Sequence, residues 1–196
     1  FDAGMLYYSP QIWASDCTDP IERLSIQFGA SLCYPISSLG AHVSANPRAG
    51  LATKGRVALC GTFGYELDPR KLTEEERELV RGQVADYHKY YDLLHYGDFY
   101  RLTSPTEDPY LCRWQFVSPD KKEVLFTQVI MRQPPAVCQF QKLPGLDPDA
   151  WYRDEATGAV YSGALLMHAG LNLSAENEFV YGDGASLSIH LVAQDR

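Results

Sequence analysis

Apolar and polar positions follow two rhythms that change near residue 97. In the first half, short apolar runs alternate with helical patterns. Gln11-Ile12-Trp13-Ala14 runs into the polar pair Ser15-Asp16, as a buried strand does where it meets a loop. Asp19-Pro20-Ile21-Glu22 then predicts a helix start. Asp19 can cap the free amides, Pro20 suits the first helical position, and Glu22 completes a capping box. That helix should stop near Gly29. Ser31 to Ile36 predicts a second strand, with a polar loop after it through Gly40-Ala41-His42-Val43-Ser44-Ala45-Asn46-Pro47. A short helix over 53–59 and a strand over Cys60 to Leu67 follow. Thr73-Glu74-Glu75-Glu76 is another capping box; behind it Leu79, Val80, Val84, Tyr87, Tyr91 and Leu94 recur at helical spacing and predict a helix over 74–95. Strand and helix in series point to parallel β/α architecture.

From Asp98 the pattern becomes one of short strands between Gly, Pro and Asp turns. Strands are expected over Arg113–Val117, Val124–Met131, Val137–Leu143, Ala150–Tyr152, Val160–Tyr161 and Ser186–Val192, with no helix. An antiparallel sandwich or half-barrel is the expected form. The domain reading is therefore residues 1–97 as β/α and 98–196 as all-β.

Composition narrows the function classes. Seventeen basic against 25 acidic side chains leave a net charge of −8, which argues against nucleic acid or an anionic membrane as the main partner. No apolar run reaches the ~20 residues of a membrane span. The sequence opens on Phe1 with no charged-then-apolar leader, so a processed product or a piece of a longer chain is expected, in the cytoplasm. Cys17, Cys33, Cys60, Cys112 and Cys138 are widely spaced, odd in number and without a C-x-x-C pair, consistent with free thiols and no metal site. Asn172-Leu173-Ser174 matches a glycosylation sequon, best explained as chance. Thirteen tyrosines suit a β-core first and a sugar-stacking surface second.

Asp16 is the leading candidate for chemistry. It ends a strand of a β/α unit, where barrel folds gather catalytic groups. Trp13, three residues earlier, offers an apolar wall, and a carboxyl against such a wall holds its proton to higher pH, as a general acid must. By spacing alone, a strand-end turn is the commoner role for such an Asp. Asp19 is the rival, more naturally a helix cap. His42 falls in the loop after the second strand, where a structural role is commoner than a base or ligand. Glu66 and Asp68 end the third strand, more often as solvated turn residues than as rim groups. His88 and His95 belong to the long helix. Gly61 and Gly64 lack the spacing of a dinucleotide fingerprint.

The run from Phe1 to Asp16, Thr18-Asp19-Pro20-Ile21-Glu22-Arg23, Tyr34 to Ser44, Gly61 to Asp68, Gly97-Asp98-Phe99-Tyr100-Arg101-Leu102 and, more loosely, Leu143 to Pro148 resemble the microbial α-galactosidases of glycoside hydrolase family 36. The resemblance implies the last units of a (β/α)8 barrel followed by a C-terminal antiparallel β-sandwich, and Asp16 as the acid/base aspartate. Cys17 departs from the Asn or Asp usual at the next position. The family's nucleophile lies in a Lys-Trp-Asp motif, and its Cys/Ser-Gly-Gly-Gly-Arg sugar loop precedes the region matched; neither motif occurs in these 196 residues. The implied partners are α-galactoside oligosaccharides such as melibiose and raffinose, with no cofactor and with room for a homo-oligomer in the full-length protein. Two rival readings are a non-catalytic carbohydrate-binding or scaffold module, stacking sugar on Trp114, Trp151 and tyrosines, and a related α-N-acetylgalactosaminidase or galactosyl transferase.

Overall fold

The computed structural model describes residues 2–134, 140–173 and 182–194. It divides into two compact units, Phe1–His95 and Tyr96–Arg196.

In the first unit, helix α1 (Pro20–Ala30) begins as expected, with Asp19 Oδ1 accepting the amides of Ile21 and Glu22. Glu22 does not complete the reciprocal half of a box; its carboxylate lies 3.4 Å from Arg48 instead. The strand expected over 31–36 is absent. Cys33 and Tyr34 turn back to the Ala30 carbonyl, and a 3-10 turn follows at Ile36–Ser38. The strand, β1, lies at Gly40–Ser44 instead, where the sequence predicted a loop, and all five residues are buried. Small residues read as a loop, but they are what a strand covered on both faces can accommodate. A side chain at Gly40 would run into Gln11 and press closely on Trp13.

Helix α2 (Leu51–Ala58) leads to β2 (Thr62–Glu66), which pairs parallel to β1 with His42 opposite Gly64 and Ser44 opposite Glu66. On the other edge of β1, Ile12 forms a parallel bridge to Leu39. The Ile12 amide donates to the Ser38 carbonyl at 2.7 Å, and the Gly40 amide donates to the Ile12 carbonyl at 2.8 Å. Three parallel segments therefore lie in chain order, joined through α1 and α2. Ala41, Val43 and Ala58 form a core beside Leu51, Phe63, Tyr65 and Leu67.

The expected long helix breaks at Tyr90 into α3 (Glu74–Lys89) and α4 (Tyr91–Tyr96). Its apolar stripe does not make a buried seam, since no α3 residue is buried. Attachment runs through Gln83, which accepts from the Tyr65 hydroxyl and donates to the Leu51 carbonyl, each at 2.8 Å, and through Tyr87 stacked on Phe63.

The second unit is built on one six-stranded antiparallel sheet. Its strands are β3 (Asp98–Thr103), β4 (Leu111–Val117), β5 (Glu123–Ile130), β7 (Trp151–Asp154), β8 (Val160–Ser162) and β10 (Ser186–Ala193). Their order across the sheet is β3-β4-β5-β10-β7-β8. Strands β6 (Phe140–Gln141) and β9 (Leu171–Asn172) form a separate pair. The rest of the strand expected over Val137–Leu143 falls partly on residues outside those described, as do Cys138 and Ser174 of the sequon. A helix that the sequence did not predict, α5 (Gly163–His168), starts at Ser162, whose hydroxyl accepts the Leu165 amide. Six residues are too few for a helical period to show. Leu143, Leu146, Leu166 and Leu171 from these pieces pack on Val117, Val124, Phe126, Ile189 and Leu191 of the sheet. The sheet thus has a second layer over its core, though one of mixed composition.

The polar residues Arg113 and Gln115 of β4 are buried. The Arg113 guanidinium donates to Gln128 Oε1 at 2.7 Å and Gln141 Oε1 at 3.2 Å, and burial pushes its pKa down to about 10. Trp114, offered above as a sugar platform, is only 1% exposed and cannot serve as one; Trp151 is exposed.

Thr73 and Glu76 form both halves of the expected box, at 3.2 and 2.9 Å. With no buried residue in α3, this cap carries much of the helix start. Thr73→Ala should lower the stability of α3 by about 1 kcal/mol, read as faster hydrogen exchange of its amides; unchanged protection would mean the end is held otherwise.

Candidate active site

Asp16 lies just past the bridged strand segment, on the side where β1 and β2 also end, and its carboxyl is exposed. Trp13 is beside it as expected, but in a different role. Its indole Nε1–H donates to Asp16 Oδ1 at 2.7 Å, so Asp16 meets a hydrogen-bond donor and not an apolar wall.

The flat face of the indole is used elsewhere. The His42 imidazole lies parallel to it, with ring centroids 4.9 Å apart and 8° between planes. His42 is thus neither in a loop nor at the surface; it occupies the middle of β1 and is buried. Its Nε2 is 2.9 Å from Glu66 Oε2, at the end of β2. Neither ring nitrogen meets hydrogen-bond geometry among the described residues, so this is a contact of charge and proximity and not a directed bond. Burial, and then the Arg23 charge, hold the His42 pKa below its ordinary 6.5, against the opposing pull of Glu66 and Asp16.

Sequence reading missed Arg23. Only 1% exposed, it reaches out of α1 and donates to three backbone carbonyls: Ser15 at 3.1 Å, Cys17 at 2.9 Å and Gly40 at 2.9 Å. The first two flank Asp16 and the third belongs to β1, so one guanidinium ties the Asp16 backbone to the neighbouring strand. Burial lowers its pKa, yet a guanidinium begins so high that it stays charged. A signal for it existed: Arg23 and Gln27 are four residues apart among Ile21, Leu24 and Phe28, and both are buried. Gln27 likewise donates to a carbonyl, that of Val57.

Asp19 is the cap the sequence indicated. Burial alone would raise its pKa, but bonds from Arg48 and the amides of Ile21 and Glu22 outweigh that and hold it below the usual carboxylate value. The Ser44 hydroxyl donates to the Thr18 carbonyl at 2.6 Å, fixing the turn between Asp16 and α1 to the end of β1. Asp68 caps a 3-10 turn and pairs with Arg70, away from this cluster's contacts. His88 is exposed, and His95 stacks on Tyr91.

Comparison with known proteins identifies the family. Residues 1–97 match the family Melibiase, and residues 111–191 match the Glycosyl hydrolase family 36 C-terminal domain. The bifunctional α-galactosidase/sucrose kinase AgaSK of Mediterraneibacter gnavus is 46% identical over 180 residues, 88% of this chain and 19% of that protein. The α-galactosidase AgaA of Geobacillus stearothermophilus is 48% identical over 180 residues, 88% of this chain and 24% of its own. A crystal structure of an AgaA variant with raffinose superposes with a TM-score of 0.91 at 44% identity, covering 99% of this chain and 27% of that one. Another AgaA variant has been solved with stachyose. These matches put the chain among the glycoside hydrolases. More narrowly, it belongs to glycoside hydrolase family 36, and it spans about a quarter or less of the length of these relatives.

The His42 environment sets a pH dependence. Its folded pKa lies below 6.5, so the unfolded chain takes up the proton first. The stability it contributes is complete above the unfolded pKa and is lost as pH falls through the folded one. Asp19, lowered from 3.8, loses its contribution only at more acid pH. The melting temperature should therefore fall between about pH 7.5 and about pH 5, and fall less in His42→Phe. Equal slopes in the two proteins would contradict the assignment.

Proposed function

We propose that this chain is the C-terminal portion of an α-galactosidase, and that Asp16 is its acid/base. Three parallel segments in chain order with intervening helices support reading the first unit as the last units of a (β/α)8 barrel, with residues 98–196 as the β-domain behind it. The observation that carries the reading is the position of Asp16: an exposed carboxyl at the strand end, with its backbone pinned on both sides by Arg23 and its side chain held by Trp13.

The chemistry is retaining hydrolysis. A nucleophilic carboxylate attacks the anomeric carbon while Asp16 protonates the departing glycosidic oxygen; Asp16 then takes a proton from the water that releases galactose. In this mechanism the two carboxyls stand ~5–5.5 Å apart. The nucleophile belongs to the Lys-Trp-Asp segment of the longer protein. Raffinose-type oligosaccharides are the proposed substrates, supported by the sugars bound in the AgaA variants. A cytoplasmic location is supported by Cys17, Cys33, Cys60 and Cys112, none of which is in a disulfide.

Two outcomes test this. The 196-residue chain, expressed alone, should show no turnover of an activated aryl α-galactoside; clear turnover would refute the division of labour. In the full-length enzyme, Asp16→Ala should cut the rate on raffinose by about 10²–10⁴-fold and the rate on a substrate with a good leaving group by much less. Equal losses on both would remove Asp16 from the proton-transfer step.

A further inference from the structure

His42 has no step in the chemistry above, yet the acid/base is connected to it through one ring. The Trp13 indole holds Asp16 through a single donated bond of 2.7 Å. Trp13 is 48% exposed, so the orientation of its indole must be fixed by what it touches on its other side. Two things do so. The backbone at Gly40 lies close to the ring: a Cβ there would stand 3.0 Å from the indole Cε3. The His42 ring lies flat against the indole at 4.9 Å. Without a flat ring there, the indole could turn to another rotamer and take its N–H away from the carboxyl.

The imidazole is itself immobilised. It stands on a fully buried strand, opposite Gly64 of β2, and its Nε2 meets the Glu66 carboxylate at 2.9 Å. Contacts therefore run without a break from Glu66 through His42 and Trp13 to Asp16.

We infer that His42 is a positioning residue for the acid/base, acting through Trp13: its ring keeps the indole N–H on Asp16 and so keeps the carboxyl aimed at the leaving oxygen. This rests on the reading of Asp16 as acid/base. A displaced general acid slows only reactions that need its proton, and displacement by about 1 Å costs up to roughly 100-fold.

The test uses the full-length enzyme with raffinose and 4-nitrophenyl α-galactoside, measuring kcat, KM and melting temperature for each variant. His42→Leu keeps the volume but removes the flat ring; it should lower kcat on raffinose by about 10- to 100-fold, leave KM within a few-fold, and lower the aryl rate far less. Trp13→Phe, which keeps a ring but loses the donor, should show the same selective loss. His42→Phe should recover most of the raffinose rate. Equal loss on both substrates, no loss in His42→Leu, or His42→Phe as impaired as His42→Leu would each overturn the inference. If His42→Leu does not fold while His42→Phe does, selective loss in Trp13→Phe with retained raffinose rate in His42→Phe supports it, and any other result defeats it. Asp16→Ala in the same series separates the two claims. If Asp16→Ala is selective for raffinose and the His42 variants are not, positioning alone fails. If Asp16→Ala is not selective, the acid/base reading fails first.

Discussion

One buried cation organises the first unit. The Arg23 guanidinium sits out of water with no carboxylate bonded to it among the described residues, and its two terminal nitrogens donate to three backbone carbonyls in place of hydration. Charge-assisted bonds of this kind are stronger than neutral ones, and removing one partner of such a buried group costs several times what a surface contact does. Their placement matters as much as their strength. Two of the bonds straddle Asp16 and the third reaches β1, so the guanidinium closes the gap between a loop and the neighbouring strand, where backbone pairing has already ended.

Around that anchor, the remaining contacts divide the work. Asp19 starts α1 and so sets where Arg23 emerges. Ser44 ties Thr18 to the end of β1. Trp13 closes on the carboxyl from the other side, and His42 supports Trp13. These side chains come from short neighbouring elements within the first 44 residues, with His42 and Ser44 both on β1. The second unit follows other rules: its sheet buries polar residues such as Arg113 and Gln128 by pairing them with each other.

What could be read from the sequence was the chemistry that acts over a few residues. Asp19 before Pro20, and Thr73 three residues ahead of Glu76, declare helix starts because capping is local. The paired strands of the second half showed themselves through turns such as Ser118 to Lys122. Strand β1 did not, because Gly40 and Ser44 owe their place to close packing against Trp13 and Thr18, and no strand propensity records that. Helix α5 was too short to announce a period. Asp16 could be singled out, yet its partners could not: the indole's edge and face go to two different residues, and Arg23 bonds carbonyls 6, 8 and 17 positions away. Trp114 failed as a surface residue for the opposite reason, since aromatic content alone does not say which face of a sheet is covered.

The way Arg23 holds its loop has a consequence for the sequence there. A guanidinium that grips carbonyl oxygens is indifferent to the amino acids those carbonyls belong to. The clasp therefore makes no demand on the side chain of residue 17, and a cysteine directly after Asp16 is compatible with it.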